Sequence, residues 1–159
     1  MLRRLLIVLL AVASAALAAR AVANLDAGRR AAAREPAAAI ARIPRADDGH
    51  YWANGEVGGR RVRFLVDTGA TNVSLTPDDA RHIGIDVAAL AYEKEVITAR
   101  GRARAAPVTL ASLAVGGAKV EDVEALVIRD GLEASLLGMS YLGRLERFEV
   151  RAATLVLEP

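Results

Sequence analysis

Cysteine is absent from this chain of 159 residues, and aromatic residues make up only 4% of it. The lack of cysteine excludes disulfide bonds, thiol catalysis and zinc–thiolate sites. Because aromatic side chains are scarce, Val, Leu, Ile and Ala must supply any hydrophobic core. Histidine occurs twice, as His50 and His82, without the spacing of metal ligands. We therefore expect neither a metal nor another cofactor.

Neither sign of charge dominates the chain. It has 21 basic and 19 acidic residues, which leave a net charge of +2. Lys94 and Lys119 are its lysines, so the basic character comes from arginine. The sequence has no basic stripe with interleaved aromatic residues, and we predict no nucleic-acid partner.

The apolar residues are concentrated at the N-terminus. Arg3 and Arg4 precede an uncharged run over residues 5–19, which is typical of a segment that directs a chain to the translocon. We assign residues 1–23 to a signal peptide or a membrane anchor. The run is shorter than the roughly 20 apolar residues of a spanning helix, which favours cleavage. An extension through residues 21–23 favours an uncleaved anchor.

Either interpretation places the rest of the chain in the cell envelope. We expect a domain in the periplasm, held at the inner membrane through residues 5–23 if these are not cleaved, or else an exported domain. Residues 24–45 are rich in Ala and Arg and show no strand period. We predict that they form a tether, followed by a single folded domain over residues 46–159.

The folded domain has the pattern of short strands separated by glycine turns. Residues 51–57 and 60–66 flank Gly58-Gly59, which predicts a β-hairpin. Further strands are expected at residues 73–75, 95–99, 102–110, 113–115, 120–128 and 135–137, with a last hairpin from residues 148–150 and 154–157. Thr76-Pro77 predicts the start of a helix that ends near Gly84, and residues 139–145 predict another short helix. Many short strands with little helix indicate an all-β fold, a small closed barrel or sandwich.

One motif carries chemistry. The apolar strand that ends at Val66 leads into Asp67-Thr68-Gly69-Ala70-Thr71, so that a carboxylate sits in a tight turn beside a hydroxyl. Two interpretations are open on these residues alone. Asp67 is either a catalytic carboxylate or a side chain that caps its own turn through an Asx-type hydrogen bond.

The wider pattern resembles the retropepsin-like aspartic proteases. Asp67-Thr68-Gly69 follows an apolar strand, and Leu136-Leu137-Gly138 comes about seventy residues later. Residues 98–101 lie where that family has its flap hairpin. Residues 106–110 and 136–142 are similar to the bacterial, membrane-anchored branch of the family. The resemblance covers residues 51–157 and implies a small, closed, acid-protease-like barrel with a flap and one or two short helices.

The resemblance also implies roles for individual residues. Asp67 is then the catalytic aspartate, Thr68 braces the active-site loops across a dimer, and Gly69 and Ala70 shape the loop near the substrate. The flap contacts substrate through Ala99, Arg100 and Gly101. Arg100 departs from the family pattern, where a small polar residue is expected before the flap glycine. Leu136, Leu137 and Gly138 support the active-site loop that carries Asp67.

A single Asp-Thr-Gly implies two chains. Hydrolysis of an amide by carboxylates needs one that holds a proton and one that accepts a proton from water. We therefore expect Asp67 of a second protomer to complete the site, which makes the protein a homodimer. The predicted activity is that of a metal-free aspartic endopeptidase acting on extended polypeptide.

Two other functions remain open at the level of sequence. The first is a non-catalytic peptide-binding β-barrel module of the cell envelope, which keeps the groove but does no chemistry. The second is a structural envelope protein in which Asp67 only caps a turn.

Overall fold

The computed structural model describes residues 40–159, and in this range the regular secondary structure is mainly β-strand. The strands are β1 (Ala41–Pro44), β2 (Trp52–Val57), β3 (Arg60–Val66), β4 (Val73–Leu75), β5 (Lys94–Thr98), β6 (Gly101–Val115), β7 (Ala118–Ile128), β8 (Ser135–Leu137), β9 (Arg147–Arg151) and β10 (Thr154–Glu158). Two short helices join them, α1 (Pro77–His82) and α2 (Met139–Leu142).

The β2–β3 hairpin forms as the sequence predicts. Gly58 and Gly59 connect the strands with φ values of 55° and 79°, the left-handed backbone that a tight two-residue hairpin turn requires and glycine adopts without steric cost. Along β3, Val62 and Phe64 are buried, whereas Arg61 and Arg63 are exposed. This period of two places one face of the hairpin against the core.

Six strands close into a barrel in the order β2-β3-β8-β4-β7-β6, and β6 pairs with β2 to complete the circle. Two neighbouring pairs, β3–β8 and β4–β7, are parallel, and the others are antiparallel. β5 extends the sheet beyond β6, and within residues 40–159 no other strand lies beside it. The predicted small, closed all-β barrel with short helices is therefore confirmed.

Aliphatic side chains fill the barrel. The largest side chains that are fully buried are Tyr141, Phe64, Leu75, Leu113, Leu137, Leu142 and Leu157. Tyr141 is the most polar of these, and its hydroxyl donates a hydrogen bond of 2.7 Å to the carbonyl of Ala118. Burial raises the pKa of Tyr141 far above its ordinary value, because the phenolate would lose its hydration.

A second sheet holds the two ends of the domain together in the order β1-β10-β9. Residues 41–44 were expected in the tether but form β1, which pairs along β10 from Ala41–Leu157 to Pro44–Thr154. Four residues are too few to show a strand period. The partner strand also comes from the opposite end of the chain, and local sequence carries no information about it.

β6 differs from the prediction of separate strands at residues 102–110 and 113–115. It is a single strand of 15 residues that runs through both ranges. β6 has β5 beside it as far as Ala105 and β2 from Leu113 onward. Pro107 lies between these two contacts, where β7 is the one strand beside β6 among the described residues. Proline is tolerated in such a position because its missing N–H removes no second ladder bond.

Helix α1 begins as predicted, with Thr76 as its N-cap and Pro77 in the first turn. The Thr76 hydroxyl accepts a hydrogen bond of 3.1 Å from the N–H of Asp79. Asp79 in turn accepts a hydrogen bond of 2.5 Å from the hydroxyl of buried Ser135 at the start of β8. The helix is thereby attached to the strand that ends beneath Asp67.

The proposed signal peptide or anchor, residues 1–23, and most of the tether lie outside the described residues. Over residues 40–159, no helix combines the length and the apolar character that crossing a membrane would require.

Candidate active site

Asp67 lies at the point where β3 leaves the sheet. Val66, the last residue of β3, is aligned with Leu137, the last residue of β8. The N–H of Asp67 continues this pairing with a hydrogen bond of 3.2 Å to the carbonyl of Leu137. The carboxylate therefore projects from a barrel strand whose position is set by the ladder rather than by a free loop.

The turn itself orients the carboxylate. Asp67 Oδ1 accepts a hydrogen bond of 2.8 Å from the N–H of Gly69, and the N–H of Ala70 lies 3.3 Å from the Asp67 carbonyl. The Gly69 bond has Asx-turn geometry, so both interpretations of Asp67 are compatible with it. Oδ2 has no hydrogen-bond partner within residues 40–159. The half-buried carboxylate thus has one oxygen held and one open for another group.

Thr68 and Gly69 are exposed at the surface of the described chain, whereas Ala70 is half-buried. A Cβ on Gly69 would come within 3.1 Å of Asp67 Oδ1. Any side chain at this position would therefore press on the carboxylate oxygen that the turn holds. The role of Thr68 across a dimer stays a prediction, because it concerns a second chain.

Gly138 lies directly beneath the Asp67 loop. A Cβ at this residue would approach the carbonyl oxygens of Asn72 and Ala70 to 2.3 and 2.7 Å. The space for a side chain is already taken by the loop backbone, so glycine is required there. Leu137 beside it is fully buried and Leu136 is half-buried. The structure therefore brings the predicted supporting residues into contact with the predicted active-site loop.

The first turn of α2 holds the loop from the same side. The N–H of Met139 donates to the Ala70 carbonyl at 2.8 Å, and the N–H of Ser140 donates to the Thr71 carbonyl at 2.9 Å. The first N–H groups of a helix have no partner within the helix. Here they bond the loop that carries Asp67.

The predicted flap is the β5–β6 hairpin. Its tip contains Ala99 and Arg100, and Gly101 has a φ of 108°, which favours glycine. The Thr98 hydroxyl closes the tip by accepting a hydrogen bond of 3.2 Å from the N–H of Arg100 and donating one of 2.9 Å to the Gly101 carbonyl. All three predicted flap residues are exposed.

The flap tip contacts the loop between β7 and β8. The guanidinium of Arg100 forms an ion pair with Glu133, and a Cβ at Gly131 would lie 3.5 Å from the Thr98 hydroxyl. Among the described residues, no hydrogen bond or ion pair joins the flap tip to Asp67 itself. The flap is connected to the site through this loop, which leads directly into β8.

Two residues of this region were not predicted from the sequence. Glu133 pairs with Arg100 across 33 positions, and no local pattern marks such a partner. Ser140 donates to the loop from α2. Ser140 lies within residues 136–142, which resemble the bacterial branch of the family, but the resemblance implied no role for it.

Among residues 40–159, no three side chains of His, Asp or Glu converge in a way that could hold a metal ion. The expectation that the site needs no cofactor stays a prediction.

Comparison with known proteins gives consistent matches over this region. The model of the family described as "gag-polyprotein putative aspartyl protease" matches residues 53–144. An uncharacterized protein from Sinorhizobium sp., encoded in the region 5′ of cobV, is 43% identical over 111 residues, which are 69% of this chain and 48% of that protein. An uncharacterized protein of Rickettsia prowazekii (strain Madrid E) is 37% identical over 115 residues, 72% of this chain and 49% of that one. The chain thus spans about half the length of the curated relatives it matches.

A solved structure matches the fold closely. The crystal structure of a retropepsin-like aspartic protease from Rickettsia conorii superposes with a TM-score of 0.68 at 37% sequence identity. The superposition covers 75% of this chain and 98% of that one.

Proposed function

We propose, from the premise that this chain belongs to the retropepsin-like aspartic protease family, that it is an endopeptidase whose catalytic dyad consists of Asp67 from two protomers. The observation that carries the proposal is the Asp67 carboxylate itself. It is fixed at the end of a barrel strand by the N–H of Gly69, with its second oxygen open.

The chemistry requires a second carboxylate. Two carboxyl groups about 3 Å apart cannot both ionise, so they share one proton, and aspartic proteases are the standard example of this behaviour. The protonated member donates a hydrogen bond to the scissile carbonyl oxygen. The ionised member takes a proton from the attacking water, whose oxygen bonds to the carbonyl carbon to give a tetrahedral intermediate. A carboxyl group of the dyad then gives a proton to the amide nitrogen, and the C–N bond breaks to release the amine and the acid. The apparent pKa values then belong to the pair and not to either residue.

A two-fold axis beside the Asp67 loop supplies this second group. In a symmetric dimer, the same surface of each protomer meets its copy. Thr68 and Gly69 are exposed beside Asp67, so this loop is available for such a contact. The partner's Asp67 would then meet the open side of the carboxylate. Dimerisation thus completes the site rather than only stabilising it.

The flap supports an extended polypeptide as the substrate. In the described part of the chain β5 is an edge strand, with β6 on one side and no strand on the other. An extended peptide can add to such an edge through backbone hydrogen bonds, whereas its side chains occupy pockets. Ile97 in β5 is 85% exposed. A peptide added to this edge would cover part of this apolar side chain.

The location of the domain rests on the N-terminal segment. We propose that residues 5–23 carry the domain across the inner membrane, where they either remain as an anchor or are cleaved. An uncleaved anchor would also concentrate protomers in the plane of the membrane, which favours a dimer.

A peptide-binding module without catalysis is the second candidate, and the open edge of β5 favours it equally. A binder needs the strand edge but has no need of an ionised Asp67. The two functions therefore differ in what Asp67→Asn does.

The decisive experiment compares Asp67→Asn with Asp86→Asn in the full chain. Asp86 Oδ1 accepts a hydrogen bond of 3.1 Å from the N–H of Ala88, two residues on, so the control removes a charge from a similar turn away from the site. Cleavage of an unfolded protein is measured across acidic pH, with and without pepstatin. Asp67→Asn should lower the rate by at least about a hundredfold, because proton transfer is lost, and Asp86→Asn should not.

Three results would count against the endopeptidase. Cleavage by Asp67→Asn at the rate of the unchanged chain would end it. Peptide capture by both chains without cleavage by either would favour the binding module. If Asp67→Asn behaves like the unchanged chain in every assay, Asp67 serves only to cap its turn.

A further inference from the structure

The Asp67 loop leaves the site through Val73, the first residue of β4. The side chain of Ser140 holds this end of the loop. The N–H of Val73 donates to Ser140 Oγ at 2.8 Å, and Ser140 Oγ donates to the carbonyl of Glu124 in β7 at 2.7 Å. One hydroxyl therefore acts as acceptor and donor at once and links β4 to β7.

The position of this hydroxyl is significant because the β4–β7 ladder begins there. β4 and β7 are parallel, and Val73 is aligned with Ala125. Ser140 reaches this pair from α2, 67 residues along the chain from Val73. The same residue also bonds the loop through its backbone, from its N–H to the Thr71 carbonyl.

Two main-chain groups depend on the Ser140 side chain. Without the hydroxyl, the N–H of Val73 loses its partner in a part-buried setting, and the carbonyl of Glu124 loses one in an exposed setting. A buried donor or acceptor without a partner is costly, so the backbone would shift to recover a bond. Val73 ends the Asp67 loop, so a shift of its backbone would act on that loop.

We infer that Ser140 is a positioning residue for the reaction, because its hydroxyl fixes the exit of the Asp67 loop and thereby the placement of the carboxylate. This inference rests on the proposed endopeptidase function. Ser140 contributes through hydrogen bonds to the backbone of the loop and of β7. A small misplacement of a reacting group slows the chemical step far more than it weakens substrate binding. The effect of losing the hydroxyl should therefore fall on kcat and not on KM.

The test uses a pair of variants matched in shape. Ser140→Thr keeps a hydroxyl, whereas Ser140→Val replaces it with a methyl group in a side chain of the same shape. Ser140→Ala removes the hydroxyl without adding volume. Ser112→Ala is the control: it lies in β6, near the β6–β7 turn. All four are made in the full chain and measured well below their unfolding temperatures.

We expect Ser140→Ala and Ser140→Val to lower kcat by about ten- to a hundredfold with little change in KM. Ser140→Thr should keep most of the activity, and Ser112→Ala should be unchanged. The pH profile of kcat/KM should also shift in the two variants without a hydroxyl, because the geometry of the dyad changes. A purely structural serine would lower the unfolding temperature and leave the profile in place.

Amide hydrogen exchange gives a second measurement that needs no activity. In Ser140→Ala and Ser140→Val, the N–H groups of Gly69 and Val73 should exchange at least about fivefold faster. If the unchanged chain cleaves nothing, the endopeptidase proposal fails, and the exchange rates still decide whether Ser140 holds the loop. Equal loss in Ser140→Thr and Ser140→Val would overturn the inference, and so would unchanged exchange at Gly69.

Discussion

At the scale of single residues, the site depends on how closely the backbone at Gly138 approaches the backbone of the Asp67 loop. Gly138 lies under Asn72 and Ala70 with no room for a Cβ. The loop that carries Asp67 rests on this glycine, and the N–H groups of Met139 and Ser140 bond it from the adjoining turn of α2. Gly138, which has no side chain, is therefore one of the residues that set the position of the carboxylate.

Replacing Gly138 with alanine should displace this loop. The added methyl group would overlap the Asn72 carbonyl, and overpacking against backbone costs about 3 kcal/mol. We expect the free energy of unfolding in urea to fall by that amount and cleavage to be lost. Gly58→Ala is the control, since a Cβ there meets nothing within 4 Å, although its φ of 55° carries some strain. Equal stability of the two variants would show that the loop has room to move.

At the scale of elements, the long strand β6 organises the flap. It pairs with β5 at its start, with β7 along most of its length and with β2 at its end. The base of the flap is therefore part of the barrel. Its tip is connected differently, through the exposed ion pair of Arg100 with Glu133. Exposed pairs of this kind contribute little and weaken in salt. The tip can therefore be released at small cost.

Removing this ion pair should loosen the flap tip. In Arg100→Ala or Glu133→Gln, amide hydrogen exchange at residues 98–102 should be about two- to fivefold faster at low salt. The difference should shrink in high salt, where the unchanged chain has already lost most of the attraction. Lys119→Ala is the control, because Lys119 forms an exposed pair with Glu121 on the β6–β7 hairpin. Faster exchange in this control would show that the effect is not local to the flap.

At the scale of the whole molecule, the domain has a closed barrel and a smaller sheet that joins its ends. From the sequence, residues 154–157 are a candidate either for a strand at the dimer interface or for a strand paired within one chain. They lie in β10, which has β1 on one side and β9 on the other. Both of its edges are thus used within one chain. A dimer that paired strands through this sheet would have to use β1 or β9.

The shared dyad predicts that two chains act as one enzyme. When unchanged chains are mixed with an equal amount of Asp67→Asn chains and allowed to exchange, activity per unchanged chain should fall to about half, because mixed dimers lack one of two required acids. Specific activity should also fall on dilution, in step with the dimer fraction measured by sedimentation. Asp86→Asn chains serve as the mixing control and should leave activity unchanged. Full activity at concentrations where the protein sediments as a monomer would rule out the shared site.

The sequence by itself determined the features that depend on neighbours along the chain. The β2–β3 hairpin follows from Gly58-Gly59 and the alternation in β3, and α1 follows from Thr76 and Pro77. The candidate aspartate was also evident, because Asp67-Thr68-Gly69 follows an apolar strand. These signals are local: they act through turn conformation, capping and side-chain period over a few residues.

Only the tertiary structure decided which distant segments meet. β1 exists because β10 offers it a partner, and Ser140 matters because Val73 and Glu124 come together around it. Glu133 likewise becomes the partner of Arg100 through the barrel. The physical reason is that such contacts depend on how the sheet closes. Their contribution to stability depends on packing and burial, which no short stretch of sequence determines.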